Sequence, residues 1–416
     1  MHRLVYLTSD TIPGNPDRKR EIPDNMKCSR SRFFVLFAMT AMSCAIADRA
    51  HTTATVRQSF DIQVPWIPAP VVIAGQQQLI YELRLTNFAG DSLALSQIEV
   101  LNSASGTVLR RIQGRELASI MGRFDHSVGA TDKLVISPGV RVVVYVSLPI
   151  EFPEGSEQTL IHRIEFDVLS KTPERAVVEG GALKIRHEPL QSLGPPLRGG
   201  PWVAVYNASW ELGHRRVPYA VQGSVHIPGR FAIDWMKVDK NGKYFDNNGS
   251  KVSDWYGYGA DVLAVTDSIV AATRDGIAEQ STVVEGELRV SLEFASGNYI
   301  ALDLGDRRYA FYEHLKPGSI LVKKGDHVRR GSVIGQLGYT GQSTGPHLHF
   351  HVSDHNSPLD AEGLPYGLQN FRILGAYLSP ATFGQALPWT PISVGADSER
   401  HNELPAPFAV VEFHED

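Results

Sequence analysis

Cysteine is nearly missing from this chain of 416 residues: Cys28 and Cys44 are the two it has, and both lie near the N-terminus. That excludes a disulfide framework for everything downstream and excludes thiolate metal ligands, so stability must come from core packing. No block rich in lysine and arginine interleaved with aromatics occurs, and the formal net charge is only -5, so no nucleic acid partner is expected. No apolar run reaches the roughly 20 residues that span a bilayer, so no retained membrane segment is expected. A long amphipathic helix pattern is also missing between about Ser59 and Ile185. What remains is a mildly acidic chain, 43% hydrophobic, with room for two or three domains.

Lys27, Arg30 and Arg32 precede the apolar run Phe33 to Met42, and Ala45-Ile46-Ala47 follows as a small-x-small site. This order predicts a secretory signal peptide within a leader over 1–47, with Met26 as the expected start of translation. Export to the periplasm or the extracellular space follows. A lipid on Cys44 is not expected, because Ala41-Met42-Ser43 matches a lipoprotein site poorly.

The fold class expected is all-β. Short alternating segments over 55–190, such as Leu79 to Thr86 and Val142 to Leu148, are separated by turn residues and predict an immunoglobulin-like β-sandwich. His162 and His187 are isolated there and are expected to be ordinary structural or surface residues. Leu193-Gly194-Pro195-Pro196-Leu197 anchors an expected stiff linker over 191–200. A second β-rich domain is expected over 201–362, with strand candidates at Val262 to Val265, Tyr299 to Leu302, Arg308 to Tyr312 and Val333 to Leu337. Prolines at 365, 380, 388, 391, 405 and 407 predict an extended C-terminal tail over 363–416.

The chemistry concentrates in the second domain. In His347-Leu348-His349-Phe350-His351 three imidazoles alternate with apolar residues, so on a strand all three project from one face. Neutral imidazole is the commonest protein metal ligand near neutral pH, and such an edge can divide between holding an ion and handling protons beside it. Asp234 sits between apolar neighbours in Phe231-Ala232-Ile233-Asp234-Trp235, where a carboxylate needs a cation or hydrogen-bond donors. His314 ends the strand candidate Tyr309 to His314.

The segments FAIDW, YEHL, KKGDHVRRGSVIG and STGPHLHFHV together resemble the lysostaphin-type zinc endopeptidases, which cut peptide bridges in bacterial cell walls. The likeness runs from about His214 to Asp360 and is closest to a secreted branch with an N-terminal β-sandwich. It implies a lysostaphin-type β-sheet peptidase domain and one zinc ion per chain held by His214, Asp234 and His349. His314 and His347 would act on the water and the transition state, and peptidoglycan peptides would be the substrate. One departure stands out. The commonest family pattern has its first ligand four residues before the aspartate, and Arg230 occupies that place. His214 and His226 compete for the role, and the Gly-His-Arg-Arg context favours His214. His351 has no role in the family and is expected to line the groove wall. His327 and His355 are expected to face solvent.

Other readings stay open at this level. A catalytically silent wall-binding or regulatory module would keep the fold but usually lacks one or more of these histidines. A peptidase acting on a protein substrate would use the same site. The Lys324-Gly325-Asp326 hairpin is also found in lipoyl-carrier and sugar-phosphotransferase barrels, which do not need Asp234 and the paired histidines. The sandwich either positions the substrate or covers the groove.

Overall fold

In the 12-residue strand Gln76–Asn87, Leu79, Tyr81, Leu83 and Leu85 alternate with Ile80, Glu82 and Arg84. Their side chains are fully buried in one core, as strand periodicity requires. This strand lies between Phe60–Gln63 and Arg141–Pro149 in a five-stranded antiparallel sheet. A second five-stranded sheet, ordered Glu174–Lys184, Thr159–Val168, Leu93–Asn102 and Val108–Gln113 with Val135–Ile136 also paired to Leu93–Asn102, contributes Ile98, Val100, Ile164 and Phe166 to the same core. Two sheets facing across one core make the expected β-sandwich. His162 is part of that core, its Nε2 2.8 Å from the Tyr81 hydroxyl and its Nδ1 3.0 Å from the Gly181 carbonyl oxygen.

This computed structural model describes residues 57–124, 133–151, 157–186, 190–207, 210, 213–284, 290–393, 395 and 398–414. Met26, both cysteines, the expected signal peptide and His187 lie outside the described residues. Among the described residues the only α-helices are the short segments Gly114–Ser119 and Pro380–Gly384, and none of them is long and apolar enough to cross a membrane.

The second lobe is built on an 11-stranded sheet. Its middle runs Asn298–Asp303, Tyr309–Leu315, Leu348–Ser353, Ile233–Lys237, Gly199–Val205, Ala409–Phe413 and Phe371–Ala376, each antiparallel to the next. Ile300, Tyr312, Phe350, Ile233, Trp235 and Val411 bury one face of it.

Two boundaries differ from expectation. The segment read as a linker is structured: Gln191–Leu193 pairs in parallel with Tyr366–Leu368, and Leu193 and Leu197 are fully buried. Its prolines sit between strands, where they cost no ladder hydrogen bonds, while the two leucines dock into the second core. The segment read as a tail likewise supplies inner strands, because Ala409–Phe413 places Val411 and Phe413 in the core beyond the last proline.

The outer face of the first sandwich sheet is covered rather than solvated. Ile80 belongs to the second core, and Val143 and Tyr145 pack on Ile227. Residues 57–416 thus form one unit.

Candidate metal centre

Strand pairing sets the site. Asp234 lies directly opposite His349 on adjacent antiparallel strands, and Glu313 lies opposite His349 on the other side. Cross-strand partners on one face have their Cβ atoms about 5 Å apart, so the sheet itself brings carboxylate and imidazole together. His349 Nδ1 is 2.9 Å from Asp234 Oδ1.

His214 arrives from a single 3-10 turn, His214–Arg216, and places its Nε2 2.8 Å from Asp234 Oδ2. One carboxylate oxygen therefore faces each imidazole. One donor atom from each of His214, Asp234 and His349 lies within 4.8 Å of the others. Two imidazoles and one carboxylate are the donor set expected of a hydrolytic zinc site, and the three residues fit that ion. His226, the competing histidine, is elsewhere: it ends the hairpin strand Ser224–His226 and pairs with Asp360 and Glu362 at 3.2 and 3.3 Å.

His347 and His314 flank this group. Their rings are 4.8 Å apart between centroids, and His314 is 5.9 Å from His349. His347 Nδ1 is 2.7 Å from the Gly345 carbonyl oxygen, and its Nε2 is 3.3 Å from Asp234 Oδ1. His314 Nδ1 is 2.8 Å from the Thr340 carbonyl oxygen. A carbonyl can only accept, so both Nδ1 atoms carry hydrogen. His314 also holds φ at +64°, a left-handed conformation costly for a residue with a Cβ and concentrated at functional sites.

The electrostatics divide the histidines into two sets. Burial opposes charge on Asp234, but His214 and His347 outweigh it and hold the carboxyl well below the usual carboxylate range. Burial likewise opposes charge on His214 and His347, and the Asp234 carboxylate overrides it, raising both. Burial, with His214 nearby, pushes His349 down to about 4. Burial and the neighbouring His347 push His314 well below its ordinary value.

His351 is 1% exposed and stacks flat on Phe311, at 5.1 Å between centroids. Its ring lies 5.2 Å from that of His349. Glu313, beside it, was not singled out from the sequence, although its place in the YEHL segment next to His314 puts it on the neighbouring strand. Burial raises its carboxyl to about 8. His355 is exposed against Asp354 and Arg307, and His327 is exposed in a short edge strand.

With this geometry in view, the likeness to known proteins falls where the histidines are. Residues 256–361 match the model of peptidase family M23, a span containing His314, His347 and His349 but beginning after His214 and Asp234. Two similar curated proteins are peptidoglycan DD-endopeptidases of Vibrio cholerae, ShyB and ShyA. They are 47% and 44% identical over 66 residues, 16% of this chain and 15% of each relative. The chain thus matches well under a fifth of the length of those relatives. The catalytic domain of lysostaphin from Staphylococcus simulans is similar at 22% identity, over 40% of this chain and 88% of that one, with a TM-score of 0.21. The family match thus covers residues 256–361 of a chain of 416.

Proposed function

We propose that this chain is an exported zinc metalloendopeptidase that hydrolyses peptide bonds in peptidoglycan stems or cross-links. The observation that carries the reading is Asp234, whose two carboxylate oxygens face His214 and His349 separately. The similarity to peptidoglycan DD-endopeptidases supports the substrate class.

His214, Asp234 and His349 would hold the ion. When bound there, zinc supplies Lewis acidity that polarises a carbonyl and acidifies water. The remaining histidines divide the proton work by their surroundings. His314, kept neutral by burial and with Nδ1–H committed to Thr340, has Nε2 available to take a proton from the attacking water. His347, held toward its charged form by Asp234, has an Nε2–H to stabilise the oxyanion and then to protonate the leaving amine. Two titratable groups pushed in opposite directions by their environment are the arrangement that acid and base assignments require. The full histidine set favours an enzyme over a silent wall-binding module.

Purified protein should carry zinc near one equivalent and release new amino termini from peptidoglycan, and His349→Ala should abolish both. Wall binding without new amino termini would favour the silent module, and cleavage of a protein substrate alone would redirect the substrate class.

A further inference from the structure

The turn that carries His214 is fastened to the sandwich. Arg215, the next residue, is buried and reaches out of the second lobe into the first sheet. Its guanidinium donates to Glu82 Oε1 at 3.1 Å, to the carbonyls of Tyr81 and Val146 at 2.9 and 2.7 Å, and to Ser147 Oγ at 3.0 Å. Arg216 donates to the Ser119 carbonyl at 2.7 Å and lies over the Tyr145 ring. Every one of these acceptors belongs to the sandwich.

Glu82 is the hub. It is 1% exposed, and its second oxygen accepts from Arg230 Nε at 2.8 Å. Arg230 in turn reaches Glu362 at 2.6 Å and the Gly363 carbonyl at 3.0 Å. A buried carboxylate clamped between two buried guanidiniums has high geometric specificity, because each planar fork accepts only one arrangement of acceptors. Burial opposes charge on Glu82, and the two arginines override it, holding the carboxyl below its usual value.

We infer that Glu82 and Arg215 are positioning residues for the metal ligand His214, so that the sandwich completes the metal site instead of covering it. The inference rests on the reading of His214 as a ligand. A three-residue 3-10 turn has few internal hydrogen bonds to hold an imidazole in place, and the two arginines that follow His214 anchor this turn to the other lobe. Arg230, where the family's common pattern has its first ligand, serves here as the strut that closes the clamp.

The test measures zinc affinity of the full chain by competition with a chelator, alongside thermal unfolding, for wild type, Arg215→Lys and His214→Ala. Arg215→Lys keeps the charge but loses the fork, and loosened support of a metal ligand typically costs about tenfold or more in affinity. A loss of about fivefold or more in Arg215→Lys protein that is still folded supports the inference. A smaller change, with His214→Ala losing zinc, overturns the inference and leaves the ligand reading standing. If His214→Ala binds zinc like wild type, the ligand reading fails and the inference with it. Should Arg215→Lys not fold, Glu82→Asp, which keeps the charge but withdraws it by one methylene, is judged by the same criterion. A merely structural role for the clamp would lower the unfolding temperature and leave the affinity of the folded protein unchanged.

Discussion

Gly229 passes so close to His214 that a Cβ on the glycine would sit 2.7 Å from the histidine's own Cβ and 3.1 Å from its carbonyl oxygen. The φ of Gly229 is -79°, an ordinary value, so the requirement is for space and not for backbone freedom. The two 3-10 turns, His214–Arg216 and Pro228–Phe231, can lie side by side only because that position has no side chain. Gly229→Ala should therefore displace His214. Overpacking of this kind costs about 1–3 kcal/mol. Thermal unfolding should show that loss and a zinc titration should show weaker binding, whereas an alanine tolerated with unchanged affinity would mean the turns have room to separate.

Replacing His314 and His347, to which proton handling is proposed, should separate chemistry from metal binding. His314→Ala and His347→Ala should each keep zinc near one equivalent and lose roughly 10²–10⁴ in kcat, the usual worth of a positioned acid or base. His349→Ala should lose the metal as well. Zinc analysis and peptide cleavage on the same preparations give both readouts, and loss of metal from His314→Ala would move that residue into the ligand set.

The sandwich core carries a pH dependence of its own. His162 is pushed down to about 4 by burial, and its Nδ1–H donates to Gly181 while Nε2 accepts from Tyr81. In the unfolded chain the ring titrates near its ordinary value of about 6.5. The unfolded state thus binds a proton that the folded state refuses, and stability falls as pH drops from about 6.5 to about 4, by about 3 kcal/mol in all. Above about 6.5 this contribution is fully present. Urea unfolding at about pH 7.5 and about pH 5 should show a smaller loss for His162→Gln, which has no titrating ring, than for wild type. Equal losses would place the acid sensitivity in other groups.

Much of the site was legible because strand periodicity is a local property. The alternation predicts one strand for the three histidines, and the strand Leu348–Ser353 holds His349 and His351 with His347 just before it, while the apolar neighbours of Asp234 marked a strand that needed a partner. The preference for His214 over His226 came from sequence context; in the structure His214 reaches Asp234, and His226 lies against Asp360 and Glu362.

The clamp was not legible. Glu82 alternates with Tyr81 and Leu83, so its periodicity assigns it to the outer, ordinarily solvated face of the sandwich. Only the packing of the second lobe over Ile80 and Tyr145 buries it. The linker and tail expectations failed for a related reason. Composition registers the prolines but not the long-range pairing of Gln191–Leu193 with Tyr366–Leu368, or of Gly199–Val205 with Ala409–Phe413.

The most direct test of the metal centre is the zinc content, after dialysis, of wild type, His226→Ala and Asp234→Ala prepared side by side. About one equivalent in wild type and His226→Ala, with almost none in Asp234→Ala, is the result predicted if His214, Asp234 and His349 hold the ion. Retention of zinc by Asp234→Ala, or its loss from His226→Ala, would contradict the account.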